Sequence, residues 1–143
     1  MKKLSLLLIF TLLGYYGIVN AQESTNSDCK EEIFTILAEM PKFNGDVEKL
    51  NAAYSVAMKL TEKEVKVEGK IYIQVIIDCK GKPYDYKLLK GIQKSIDKRV
   101  IKVLKELPEF NNWSAGSELG EKVNCQYNIP IEIKSGYFVF KTI

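Results

Sequence analysis

Between Gly45 and Ile133 the hydrophobic pattern switches repeatedly between two periods. "GDVEKLNAAYSVAMKL" at 45–60 spaces Val47, Leu50, Tyr54 and Ala57 or Met58 by threes and fours. That spacing predicts an amphipathic helix with Asp46 as its N-cap. "EGKIYIQVIID" at 68–78 alternates instead, with Ile71, Ile73, Val75 and Ile77 on one face and Tyr72, Gln74, Ile76 and Asp78 on the other. Its β-branched content predicts a strand. Gly and Pro in "CKGKP" supply a tight turn, and "YDYKLLKG" returns as a second strand. "SIDKRVIKVLKEL" at 95–107 puts Ile96, Val100, Val103, Leu104 and Leu107 on one side and lysines on the other. Ser95 is placed to cap this second helix and Pro108 to stop it. "EKVNCQYNIPIEI" at 121–133 alternates again. Val123, Cys125, Tyr127, Ile129, Ile131 and Ile133 point inward, and Asn124, Gln126, Asn128 and Glu132 point outward.

The order helix, strand, strand, helix, strand predicts an α+β fold, a two-layer sandwich with helices on one face of a three-stranded antiparallel sheet of order 2-1-3. Pro130 cannot donate to a ladder, so the third strand is expected at the sheet edge with that position facing out. After Ser135–Gly136 comes "YFVFKTI", whose strand-forming residues would be an aggregation hazard if exposed. The tail is therefore expected to fold back on the third strand as a fourth.

The chain opens with Lys2 and Lys3, runs apolar from Leu4 to about Val19 and reaches "VNA" before Gln22. This is the pattern of a secretory signal, residues 1–21, cleaved after Ala21. The apolar run is short for a span, which needs roughly 20 residues. The competing reading is an inner-membrane anchor through residues 4–19. Residues 22–30 read as a flexible polar lead and 31–143 as one small domain. Cleavage would lower the formal charge from +3 to +1, which gives no overall steering toward nucleic acid or anionic lipid. An exported domain would be periplasmic, with no membrane span after cleavage.

Export changes the reading of the three cysteines. In an oxidising compartment they form disulfides by default. They lie 50 and 46 residues apart in a chain without histidine, which matches no zinc spacing. If Lys70 faces Lys134 across the first and third strands, Cys79 faces Cys125 in the same register and on the same face. A Cys79–Cys125 disulfide is expected, with Cys29 left over or used between chains.

The search for chemistry argues against an enzyme. A serine or cysteine nucleophile needs a base, usually histidine, and there is none. Glu31, Glu32, Asp97 and Glu106 fall on solvated faces. "GKPYDYK" lacks the spacing of a phosphate loop. Tyr84 and Tyr86 beside Lys82 and Lys87 are a weak stacking motif for a chain read as exported and nearly neutral. Trp113 reads as a packing residue. No cofactor and no metal are called for.

The series "VEGKIYIQVIIDCKGKPYDYKLLKG", "SIDKRVIKVLKEL", "WSAGSELGEKV" and "YNIPIEI" resembles the C-terminal domain of TonB-family proteins. "AEMPKFNGD" is similar to the segment preceding that domain in TonB-like proteins of Bacteroidetes-type bacteria. The resemblance runs from about Ile33 to Ile133. It departs where Met58–Lys59 stand in place of Tyr–Pro and Ala115 in place of the proline of a Trp-x-Pro-Gly loop, while Trp113, Gly116 and Gly120 are kept. Energy-transducing members also carry an anchor and a proline-rich spacer, and neither is visible here.

The resemblance implies a module that binds an extended segment of an outer-membrane transporter, or of another envelope protein, as an added strand. The edge strand would receive it through Asn124, Gln126, Asn128, Pro130 and Glu132. The alternative is a structural domain of the envelope that self-associates through the same edge as a homodimer, with no transporter partner.

Overall fold

A computed structural model describes residues 29–141. The expected signal, most of the lead and the last two residues lie outside the described residues. The chain runs β1 (Ile33–Phe34), β2 (Lys42–Phe43), α1 (Val47–Met58), β3 (Gly69–Ile77), β4 (Pro83–Lys90), α2 (Lys94–Glu106), β5 (Trp113–Ser114), β6 (Gly116–Glu118), β7 (Glu121–Lys134) and β8 (Tyr137–Phe140). Two short 3-10 turns, Glu64–Lys66 and Pro108–Asn111, punctuate it.

α1 begins as its sequence requires. Asp46 Oδ1 accepts the N–H groups of Glu48 and Lys49 at 3.0 and 3.1 Å. It ends at Lys59, whose φ of 47° breaks the helical path. α2 starts differently from the expectation that Ser95 caps it. Asp97 Oδ1 reaches back to the N–H groups of Ile92 and Gln93, and the Ser95 hydroxyl donates to Glu64 Oε1 at 2.6 Å. A carboxylate at the fourth helical position does the capping because Ser95 has a buried acceptor to serve.

The fold is α+β, with helices packed on one face of a sheet. Leu50, Tyr54 and Met58 from α1 and Ile96, Val100 and Leu104 from α2 share one core with Ile71, Ile73, Val75, Ile77, Ile129, Ile131 and Ile133. The Tyr54 hydroxyl donates to the Val100 carbonyl at 2.9 Å, a bond in the interior that fixes the two helices to each other. Trp113 is buried between Phe43, Phe110 and Tyr127, and its indole N–H donates to the Phe110 carbonyl at 2.7 Å.

The sheet is larger than the three strands expected. It has six, in the order β1-β7-β3-β4, with β6 and β8 also paired to β7. β7 is therefore not a simple edge strand. β1 and β6 are two and three residues long, too short to leave a period in the sequence. β8 forms from the tail as the turn at Ser135–Gly136 suggests, both residues having positive φ.

The β3–β7 register also differs. Ile77 faces Cys125, and Lys70 faces Glu132 rather than Lys134. Each residue is displaced by two positions from the expected pairing. A two-residue slip leaves every side chain on its own face, so the hydrophobic pattern cannot detect it. This slip moves Cys79 beyond Cys125, and the Cys79–Cys125 disulfide is not formed. Cys79 is bonded to Cys29 instead, with Cα atoms 5.5 Å apart. Cys125 is a buried free thiol, its pKa pushed up by that burial.

Glu64 is an acid inside this fold. It is only 5% exposed. It accepts hydrogen bonds from Ser95 Oγ, the Thr61 N–H and Arg99 Nη2 at 2.6, 2.9 and 2.7 Å. Arg99 Nη1 in turn donates to the carbonyls of Met58 and Lys59 at the end of α1. The donors, Ser95 first, lower the Glu64 pKa to about 2. A carboxyl depressed in the folded state contributes stability above its unfolded pKa and loses it as pH falls toward the folded value. Glu64→Gln is expected to cost about 2 kcal/mol at neutral pH. The difference from wild type should shrink between pH 5 and 2, as followed by urea unfolding across that range.

Candidate strand-addition edge

The outer flank of β7 carries the groups that strand addition needs. The Lys141 N–H donates to the Pro130 carbonyl at 2.9 Å, on the side away from β3. Backbone groups alternate sides along an antiparallel strand, so even-numbered residues of β7 present N–H and C=O to the outer flank and odd-numbered ones face β3. Pro130 falls on the even set. Its absent N–H costs no bond to β3, where its Cα partner is Tyr72.

Much of that flank is already covered. At the C-terminal end β8 pairs Phe140, Val139, Phe138 and Tyr137 with Ile131, Glu132, Ile133 and Lys134. β8's own far side is closed by α1. Ser55 Oγ accepts the Phe138 N–H and Asn51 Oδ1 accepts the Phe140 N–H, both at 2.9 Å. A helix covering a strand edge removes the template that an unpaired strand would offer. Phe138 is fully buried and packs edge-on against Tyr54, ring centroids 5.1 Å apart. β8 is core, not a loose cap.

At the N-terminal end the cover is slight. β1 lies parallel to β7 through two pairs only, Ile33–Asn124 and Phe34–Cys125. Asn124 ties this corner together. It is 6% exposed. Its Oδ1 accepts the Cys79 N–H at 3.0 Å and its Nδ2 donates to the Lys30 carbonyl at 2.7 Å. The Cys29–Cys79 bond joins the same two segments. Lys30 also meets Glu121 at 2.6 Å, but both side chains are about two-thirds exposed, so the pair contributes little.

Between the two covers, residues 126–130 have no partner strand on the outer flank among the described residues. The slanted bonds of a parallel pair carry one residue further, so β1 reaches the Gln126 N–H. The Gln126 carbonyl receives the weak Cys125 S–H at 3.4 Å. Asn128, whose side chain is exposed, is the centre of the gap.

The five residues expected to receive a partner thus divide. Asn124 is a buried tie, and Glu132 is paired with Val139 and bonded to Lys141 at 2.8 Å. Gln126, Asn128 and Pro130 line the gap. Sequence reasoning missed Asn51 and Ser55, which close β8, and the role of Cys29. Two polar residues four apart, beside the buried Tyr54 on α1, were the only trace of the former.

The opposite edge of the sheet, β4, is blunted. Its pairing with β3 shifts register twice, Asp85 sits at φ 48°, and Pro83 has no N–H to offer. Bulges, proline and lysine on an edge discourage pairing. Lys82, Lys87 and Lys90 supply the charge. Tyr84 is exposed and Tyr86 half-buried, with the Lys105 ammonium 5.3 Å from the Tyr86 ring. Asp97 caps α2, as described.

Among the described residues no helix is long and apolar enough to cross a membrane. No family model, curated protein or solved structure matches this chain.

Proposed function

We propose that the chain is a binding module of the cell envelope, exported to the periplasm, that takes an extended segment of a partner protein as an added strand on β7. The observation that carries the reading is the gap at residues 126–130, bordered by a strand of only two residues. A segment that replaces β1 would gain the flank from Asn124 to Ile129, six residues or about 20 Å of strand, because the Pro130 carbonyl is taken by Lys141. Main-chain bonds then supply affinity, and side chains that alternate along the segment supply specificity. The partner implied by the resemblance to TonB-family C-terminal domains is the N-terminal segment of an outer-membrane transporter. The Cys29–Cys79 bond fits an oxidising compartment, which supports export.

Asn128→Pro tests the reading. The substitution removes one outward N–H and no bond to β3, and Pro130 already occupies the same flank two residues on. Binding of peptides spanning transporter N-terminal segments, measured by calorimetry, should weaken at least tenfold, an effect worth about 1.4 kcal/mol. The unfolding midpoint should move by only a few degrees. Unchanged affinity in the folded variant would remove β7 as the site. A tight homodimer that survives dilution and binds no peptide would favour the self-associating alternative.

A further inference from the structure

The near-neutral total charge conceals a local run of lysines on α2. Lys94, Lys98, Lys102 and Lys105 are all exposed on α2. At 3.6 residues per turn they fall within an arc of about 80° and span about 16 Å of helix. The buried Ile96, Val100 and Leu104 occupy the opposite side. No acid falls inside the arc, and one, the exposed Glu106 four residues after Lys102, borders it. Asp97 is turned back onto the N–H groups of Ile92 and Gln93, and Arg99 is committed to Glu64 and the end of α1. Among the described residues Lys94, Lys98 and Lys102 have no ion pair, while Lys105 lies over the Tyr86 ring.

Five other exposed or half-buried acids lie on different elements. Glu31, Glu32, Glu39, Glu118 and Glu121 belong to the N-terminal segment and the β6–β7 hairpin. Like charges at i and i+4, as in Lys94–Lys98 and Lys98–Lys102, destabilise a helix. A helix face needed only for solubility is better served by alternating signs. The arrangement is relieved when an extended negative surface lies against it.

We infer that the solvent face of α2 is a docking surface for an anionic lipid bilayer. A single carboxylate or phosphate cannot span the stripe, whereas a plane of headgroups can meet all four ammonium groups at once. Clusters of four or more lysines on a helix bind anionic lipid, each basic residue strengthening attachment about fivefold. The apolar run at 4–19, read as a signal or an anchor, would bring the chain to a membrane in either case. The inference does not depend on the strand-addition reading.

Amine labelling with mass spectrometry provides the test, on protein recovered from cells expressing the full chain. Phosphatidylglycerol-containing vesicles should protect Lys94, Lys98, Lys102 and Lys105 at least fivefold, and high salt should abolish the protection. Phosphatidylcholine vesicles should not protect them, and exposed Lys42 and Lys122 should label equally throughout. Lys98→Gln with Lys102→Gln should weaken the salt-sensitive attachment about 25-fold. Lys42→Gln with Lys122→Gln, the same change in total charge, should leave it within about twofold of wild type. Equal labelling with and without anionic vesicles, equal protection by phosphatidylcholine, or protection by heparin but not by vesicles would each overturn the inference.

Discussion

Replacing Phe138 by alanine is expected to lower stability by about 4 kcal/mol, the largest effect of any single side chain in the C-terminal strand. Phe138 is fully buried, meets Tyr54 edge-on at 5.1 Å, and sits on the strand that α1 closes through Asn51 and Ser55. Removal leaves a cavity that the surrounding isoleucines and Tyr54 cannot fill without moving. For a domain of this size the melting midpoint should fall by roughly 15 °C. Urea unfolding should show a lower midpoint with an unchanged slope. Tyr137→Ala, at a side chain 67% exposed, should change stability by less than about 0.5 kcal/mol. If both variants behave alike, β8 is not built into the core, and the outer flank of β7 is open along its C-terminal half as well.

Loss of the Cys29–Cys79 bond should rank beside it. The link spans a sequence separation of 50 residues, and the chain-entropy model assigns such a loop about 4 kcal/mol. Against a total stability on the order of 5–15 kcal/mol, that is a large share. Cys29→Ser should also have a local consequence. β1 has two pairs to β7, so freeing its leading end should loosen residues 29–34 and expose Asn124. Peptide affinity should therefore rise in Cys29→Ser while stability falls. Mapping under non-reducing conditions should recover the Cys29–Cys79 pair, with Cys125 alkylated only after denaturation because it is buried. Recovery of a Cys79–Cys125 pair would mean that β3 and β7 are paired two residues out from the observed register.

The long elements were legible and the short ones were not, for physical reasons. α1, α2, β3 and β7 each bury a face long enough to impose its period on the sequence, and their bounds follow from it. β4, after Pro83, half-buries only Tyr86 and Leu88 and is placed by the Gly–Pro turn before it. β1 and β6 have two and three residues, below the length at which alternation can be told from chance. The inward face of β7 was readable from Val123 to Ile133, but its register was not, because a shift of two preserves every face. That one ambiguity exchanged the partner of Cys79. The candidate site failed in a related way. Its five outward residues shared a parity, yet parity does not say what lies beside them. Asn124 meets Cys79 and Lys30, Glu132 meets β8, and only the middle of the strand keeps its outer flank without a described partner.

The central claim is that a partner strand adds at that middle stretch, and amide exchange at Asn128 tests it most directly. In the free chain the Asn128 N–H should exchange fast, while Tyr127 and Ile129, which face β3, are slow. Saturating the protein with a transporter-derived segment should slow Asn128 at least tenfold and leave its two neighbours unchanged. An Asn128 amide already slow in the free chain, or one that a bound segment leaves fast, would contradict the account.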